Sequence, residues 1–110
     1  MFAAQFIFKP GTYDDEFHRL DASIDEFAAS LDGFLGVERW LSADGQVKNS
    51  VYYFANQATI QTFARFPDHV EAKGKVARWY DGYQVIISEV VATYGDGKIE
   101  TIAGSRKERT

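Results

Sequence analysis

At 110 residues the chain is long enough for one domain with a single modest core. It contains no cysteine, which excludes disulfide staples, thiolate zinc sites and a cysteine nucleophile, and suits the reducing cytoplasm expected for it. A formal net charge of −4 leaves no basic footprint for nucleic acid, and no apolar run reaches the ~20 residues that a membrane-spanning helix needs.

The N-terminus, "MFAAQFIFKPG", lacks a basic lead and a small-residue cleavage site. Its short aromatic and apolar run, "FAAQFIFK", reads instead as a first strand stopped by Pro10-Gly11. Thr12 then stands where a helix cap is wanted, with Asp14, Asp15 and Glu16 in a first turn that favours acids. Phe17, Leu20, Ile24, Phe27, Ala28 and Leu31 recur at steps of three and four, one apolar stripe on a helix. Gly33 follows as the expected left-handed stop.

Phe34 to Leu41 and Val47 to Ala55 read as the second and third strands, joined through "SADGQ". Asp44-Gly45 there predicts a primed hairpin turn. Asn56 is placed to cap a second helix, whose short stripe is Ile60, Phe63 and Ala64. Pro67 ends that helix, and Asp68 is placed to cap a third running to about Tyr80 and loosened at Gly74. Gly82 turns the chain into a last strand, "YQVIISEVVATY", and residues 95–110 form a polar tail of nearly balanced charge beyond a domain of residues 1–94. "KIETIAG" in that tail is short enough to add an edge strand or to clasp a partner subunit.

Strand, helix, strand, strand, interrupted helix, strand is the order of a ferredoxin-like split βαβ fold: α+β, with a four-stranded antiparallel sheet and its helices on one face. A sheet covered on one face should alternate apolar and polar residues. The last strand does not, since Val85, Ile87 and Val91 face one way and Ile86, Val90 and Ala92 the other. The third strand sets Val51 and Tyr53 against Tyr52 and Phe54. Both faces are expected to be dry, so a second copy is expected to cover what the helices leave bare, as a homodimer.

"GFLGVERWLSADG", "VYYFAN", "FPDHVEA" and "RWYDGYQVIISEV" together resemble the antibiotic biosynthesis monooxygenase family of dimeric α+β barrels, over roughly residues 2–94. The resemblance implies two sheets meeting as a barrel and a pocket between sheet and helices in each subunit. Within that family some members oxidise aromatic substrates with O₂ and no cofactor, and others degrade haem. The haem-degrading branch uses an asparagine, a tryptophan and a ligating histidine at places where this chain has Phe6, Phe63 and Lys73, so that route is not expected. The oxidising branch tends to use a tryptophan and an asparagine on the second helix, where this chain has Phe63 and Thr59.

The expected activity is therefore that of a monooxygenase acting on a small flat apolar aromatic ligand without a cofactor or metal. A non-catalytic ligand-binding protein on the same scaffold is the alternative, and a haem-binding protein the third reading. His69 is the expected base, because imidazole titrates near neutral pH and oxygenation without a cofactor begins by removing a substrate proton. Its competing role is a local helix-start contact. Phe6, Phe63, Phe66, Trp79 and Tyr80 are the expected pocket walls, with Phe8 and Tyr53 as further candidates. Nine Phe and six Tyr exceed what a small core needs, which points to an aromatic-lined cavity. His18 points away from the stripe and reads as solvated. Glu38 and Arg39 are expected in a cross-strand or intersubunit ion pair. "GDGK" lies after the last strand rather than between a strand and a helix, so it makes no phosphate loop.

Overall fold

The computed structural model describes residues 1–104. Strand β1 (Phe2–Pro10) is followed by helix α1 (Asp15–Ser30), strands β2 (Phe34–Leu41) and β3 (Lys48–Phe54), helices α2 (Gln57–Arg65), α3 (Pro67–Lys73) and α4 (Val76–Trp79), and strand β4 (Tyr80–Glu89). The four strands lie in the order β2-β3-β1-β4 with every neighbouring pair antiparallel. This is the ferredoxin-like arrangement that the element order predicts. No helix of the described residues is long and apolar enough to cross a membrane.

Several local signals resolve differently from expectation. Asp14, not Thr12, caps α1, accepting the Phe17 N–H at 2.8 Å. The same oxygen accepts the Trp79 indole N–H at 3.1 Å, while the Gly11 N–H is held by the Trp79 carbonyl at 2.8 Å. The chain from Gly11 to Asp14 is thus fastened to the start of β4, which moves the cap two residues on. Gly33 is not left-handed: α1 ends on Leu31 in extended conformation. Gly33 instead lies where any side chain would run into Thr59 of α2, so its value is close approach. At the β2–β3 hairpin Gly45 alone takes positive φ, 75°, so the turn is not a primed one. Asp44 closes it by accepting from the Ser42 hydroxyl at 2.7 Å and the Gln46 N–H at 3.0 Å.

Asn56 caps α2 as expected, accepting both the N–H and the hydroxyl of Thr59 at 2.9 Å. Beyond it Pro67 starts α3 rather than merely ending α2, its missing N–H costing nothing at a first helical position. Asp68 does not cap that helix; its carboxylate accepts the Ser23 hydroxyl at 2.6 Å and ties α3 to α1. The expected third helix is two pieces parted at Gly74-Lys75, and β4 begins at Tyr80, earlier than the expected Tyr83, and ends at Glu89. Gly82 lies inside β4, paired with Lys9, and is not a turn.

The register puts Phe2, Ala4, Phe6 and Phe8 on one face of the sheet with Phe54, Tyr52, Ser50 and Lys48 of β3 and Ile87, Val85 and Tyr83 of β4. Helices cover this face over β1 and β3 and leave its β4 edge exposed. Phe54, Ala28, Ile60 and Phe63 are buried together at one end, and Phe17, Leu20 and Trp79 at the other. The opposite face carries Ala3, Gln5, Ile7, Asn49, Val51, Tyr53, Trp40 and Ile86.

Among the described residues no strand forms after β4, and the tail does not add to the sheet edge. Ile102 packs over Gly36, which has φ 136° and where a Cβ would come within 2.8 Å of the Ile102 side chain. The Ile102 N–H is donated to a Glu38 carboxylate oxygen at 2.8 Å. The basic tail residues Arg106, Lys107 and Arg109 lie outside the described residues.

Strand β4 has no dry side within one chain. Val85 and Ile87 on the helix face are 48% and 53% exposed, and Ile86 on the other is 42% exposed, while Trp40, on the opposite edge strand β2, is 52% exposed. This is the apolar exposure that the double-sided pattern predicts. Isolated apolar side chains at a surface need no explanation, but a whole strand of them does.

Candidate functional site

Where α1 spans the sheet and α3 leaves it, the helices stand off and leave a cleft of about 980 Å³, open along the exposed side chains of β4, at the upper end of the range for small-molecule sites. Its floor is aromatic. Phe6 and Phe8 alternate inward along β1, and their rings stack with centroids 4.9 Å apart. Tyr80 meets them edge-on at 5.2 and 5.1 Å, and Tyr83 lies 6.1 Å from Phe6. The bulge between Lys9 and Pro10 sets Tyr80 inward at the start of β4. From above, α1 supplies Phe17, Leu20, Asp21 and Ile24, while α3 and α4 supply His69, Lys73, Val76 and Trp79. Leu41 and Lys48, both exposed, stand at the hairpin rim.

His69 is on the cavity wall, half-buried. Its Nδ1 lies 3.1 Å from the Phe63 carbonyl, and its ring is 4.5 Å from the Phe63 ring. A carbonyl only accepts, so the neutral ring carries its proton on Nδ1 and keeps a lone pair on Nε2. Burial holds the imidazole below its ordinary value of 6.5, the Phe63 bond opposes this, and the Lys73 charge adds to the lowering. Neutral histidine at neutral pH follows. The contact with Phe63 is also a local bond of the kind weighed from the sequence as the competing role for His69.

Of the expected wall residues, Phe6, Phe63, Trp79 and Tyr80 line the cavity together with His69. Phe66 does not. It occupies the extended position between α2 and α3, and its ring lies flat on Phe27, 4.0 Å away and 2° from parallel. Tyr53 falls on the other face of the sheet, beside Glu38. Trp79 is 2% exposed and acts as a packed backing to the wall, T-shaped on Phe17 at 5.3 Å. His18 is exposed, as expected.

Sequence reasoning missed the polar end of the cavity. Arg39 forms neither a cross-strand pair nor, within this chain, any pair with Glu38; its guanidinium lies 3.6 Å from Asp25 on α1. Asp25 also accepts the Tyr52 hydroxyl at 3.2 Å. Tyr52 is pushed far above its usual range, first by burial and then by the Asp25 charge, so it stays a protonated donor. Tyr80 is raised likewise, chiefly by burial. Asp21, one helical turn before Asp25, lines the cavity and is raised above the usual carboxylate range by desolvation and then by Asp25, with Arg39 and His18 opposing. The signal was present in "FHRLDASIDEF": Asp21 is four residues after Phe17 and one after Leu20, on the edge of the apolar stripe and not opposite it. Among the described residues no group of three or more His, Asp and Glu side chains is placed to hold a metal ion.

No family model matches the sequence, and no curated protein matches it. Solved structures do. The chain is similar to Rv0793 from Mycobacterium tuberculosis, with TM-score 0.63 and 16% identity over 86% of this chain and 98% of that one. It is similar to SnoaB, a cofactor-independent oxygenase from Streptomyces nogalater, with TM-score 0.65 and 12% identity over 84% and 94%. A Deinococcus radiodurans protein named provisionally as an antibiotic biosynthesis monooxygenase gives TM-score 0.62 and 11% identity over 86% and 97%. At these identities the shared property is the fold, and it is the fold that the sequence resemblance implied.

Proposed function

We propose that this chain, on the fold it shares with those proteins, is a homodimeric oxygenase that oxidises a flat hydroxylated aromatic with O₂ and no cofactor. The observation that carries the reading is a neutral, partly desolvated histidine on the wall of a large aromatic cavity. An activated CH₂ between aromatic rings, as in an anthrone, gives its proton to His69 Nε2. The carbanion passes one electron to O₂, and the two radicals join as a peroxide. Loss of water from the protonated peroxide leaves a carbonyl, so that CH₂ plus O₂ becomes C=O plus H₂O. His69 supplies the base, Phe6, Phe8 and Tyr80 hold the ring system flat, and the apolar walls keep water from the carbanion. The name of the Streptomyces nogalater protein supports the reaction class.

Oxygen uptake with a ring-hydroxylated anthrone tests the reading. One O₂ consumed per anthrone, saturable and well above the autoxidation rate, is the expected result. Saturable anthrone binding with no uptake above that background would instead establish a ligand-binding protein. The homodimer is proposed because β4 and Trp40 leave apolar surface on both faces of the sheet, which a second sheet would cover. Light scattering is expected to give twice the chain mass across a dilution series, and a single-chain mass throughout would refute it.

A further inference from the structure

The cleft carries a charge opposite to that of the chain around it. Among the described residues its charged lining is Arg39, Lys48 and Lys73 against Asp21, in a chain of net charge −4. Two of the cations stand together on the sheet. The strand registers set Arg39, Ser50 and Phe6 in one row across β2, β3 and β1, and Leu41, Lys48 and Phe8 in the next row on the same face. Arg39 and Lys48 are therefore diagonal neighbours on adjacent strands, a spacing that long side chains bridge. Water reaches both, and what sets them apart is placement beside the aromatic floor. Asp25 on α1 offsets Arg39 at 3.6 Å, whereas Lys48 forms no ion pair with any described residue. Ser50 lies in the rows between them and the phenylalanines. It lines the cleft, is only 7% exposed, and its hydroxyl has no hydrogen bond to a described residue.

We propose that Arg39, Lys48 and Ser50 form an acid-recognising corner of the cleft, binding a carboxylate of the ligand while its rings lie on Phe6 and Phe8. This rests on the cleft being the ligand site, and it adds an acidic substituent to the flat ring system as a second requirement. The sheet limits where that substituent is attached. Ser50 and Lys48 are the cross-strand partners of Phe6 and Phe8, one strand spacing of about 4.8 Å away. The carboxylate is therefore borne directly on the ring system or one carbon from it. Guanidinium, ammonium and hydroxyl are all donors to such a group. Exposed cations hold an anion weakly in water, but a ring system laid beside them displaces that water and lowers the local dielectric.

Two shape-matched probes that do not react test this apart from any turnover. They are 2-naphthoate, ionised at pH 7, and neutral 2-naphthamide, measured by equilibrium dialysis against the full chain. The expected result at low salt is a naphthoate affinity at least about tenfold above that of the amide. In Lys48→Gln the preference is expected to shrink to about threefold or less, and in Lys48→Glu to reverse. In Lys73→Gln, which removes a cation from the α3 wall, the parent's preference is expected to hold. Equal binding of the two probes by the parent overturns the acid corner and leaves the cleft reading standing, and it needs no variant to fold. Binding of neither probe overturns both. A preference that survives in Lys48→Glu, or one lost in Lys73→Gln, places the acid elsewhere and overturns the proposal.

Discussion

Replacing His69 with alanine is expected to lower kcat/KM for oxidation of a ring-hydroxylated anthrone by about 10²–10⁴-fold, the usual worth of a positioned general base. The argument starts from two contacts. The Phe63 carbonyl fixes the proton on Nδ1, and burial depresses the imidazolium form, so Nε2 is a free base at neutral pH. The sign follows from the direction of the shift. With the folded pKa below the ordinary 6.5, the active neutral form persists as pH falls through 6.5, and the acid limb of kcat/KM lies lower than that value. The same shift makes protonation favour the unfolded chain. The stability it contributes is whole above pH 6.5 and is lost as pH falls through the folded value. In the alanine variant the acid limb should vanish along with most of the rate. A loss of threefold or less, in a variant whose circular dichroism matches the parent, would remove His69 from the mechanism.

Trp79 to alanine is expected to destabilise the fold by about 3–5 kcal/mol, read from urea unfolding. Against the ~5–15 kcal/mol typical of a whole domain this is a large fraction. Trp79 is among the most deeply buried side chains, packed on Phe17 and Leu20 where α1 crosses the start of β4. It also donates to the residue that caps α1, and its backbone carbonyl holds Gly11. Removing the ring opens a void behind the cavity wall and leaves the cap with one donor fewer. Trp79→Phe keeps most of the volume and should lose distinctly less. A change below about 1 kcal/mol in the alanine variant would mean that the α1–β4 junction repacks freely, contrary to its observed burial.

Much of the architecture was legible in the residues. The stripe from Phe17 to Leu31 has one solution, a helix laid on the sheet, and the first three strands and first two helices formed close to their expected places. The expected third helix instead formed as two pieces, and the last strand begins and ends earlier than expected. Asn56 capped because nothing else competes for it. Thr12 did not, because a backbone bond from Gly11 to Trp79 holds the preceding chain and hands the cap to Asp14. Pro67 and Asp68 carried ambiguous signals: the same Pro-Asp pair starts a helix or ends one, and Ser23, distant in sequence, claimed the Asp68 carboxylate.

The site was partly legible. His69, Phe6, Phe63, Trp79 and Tyr80 could be singled out because histidine is rare here and the aromatics are in excess. Phe66 looked identical to Phe63 on paper, yet only the turn between α2 and α3 decides that one ring faces the cavity and the other lies on Phe27. Asp21 was not singled out as lining the cleft because an acid beside an apolar stripe ordinarily belongs to the solvated face, and it is exposed here too.

From composition and periodicity alone follow the α+β order, the antiparallel four-stranded sheet and a last strand with apolar residues on both sides. These depend on local geometry, the periods of 2 and 3.6, which each short segment carries by itself. Which aromatic rings meet, which acid caps α1 and where the histidine places its proton were decided only when α1, α3 and β4 came together. Contacts such as Asp14 with Trp79 or Arg39 with Asp25 join residues far apart in sequence. No local pattern records such pairings, because burial and hydrogen-bond satisfaction belong to the packed whole and not to any segment of it.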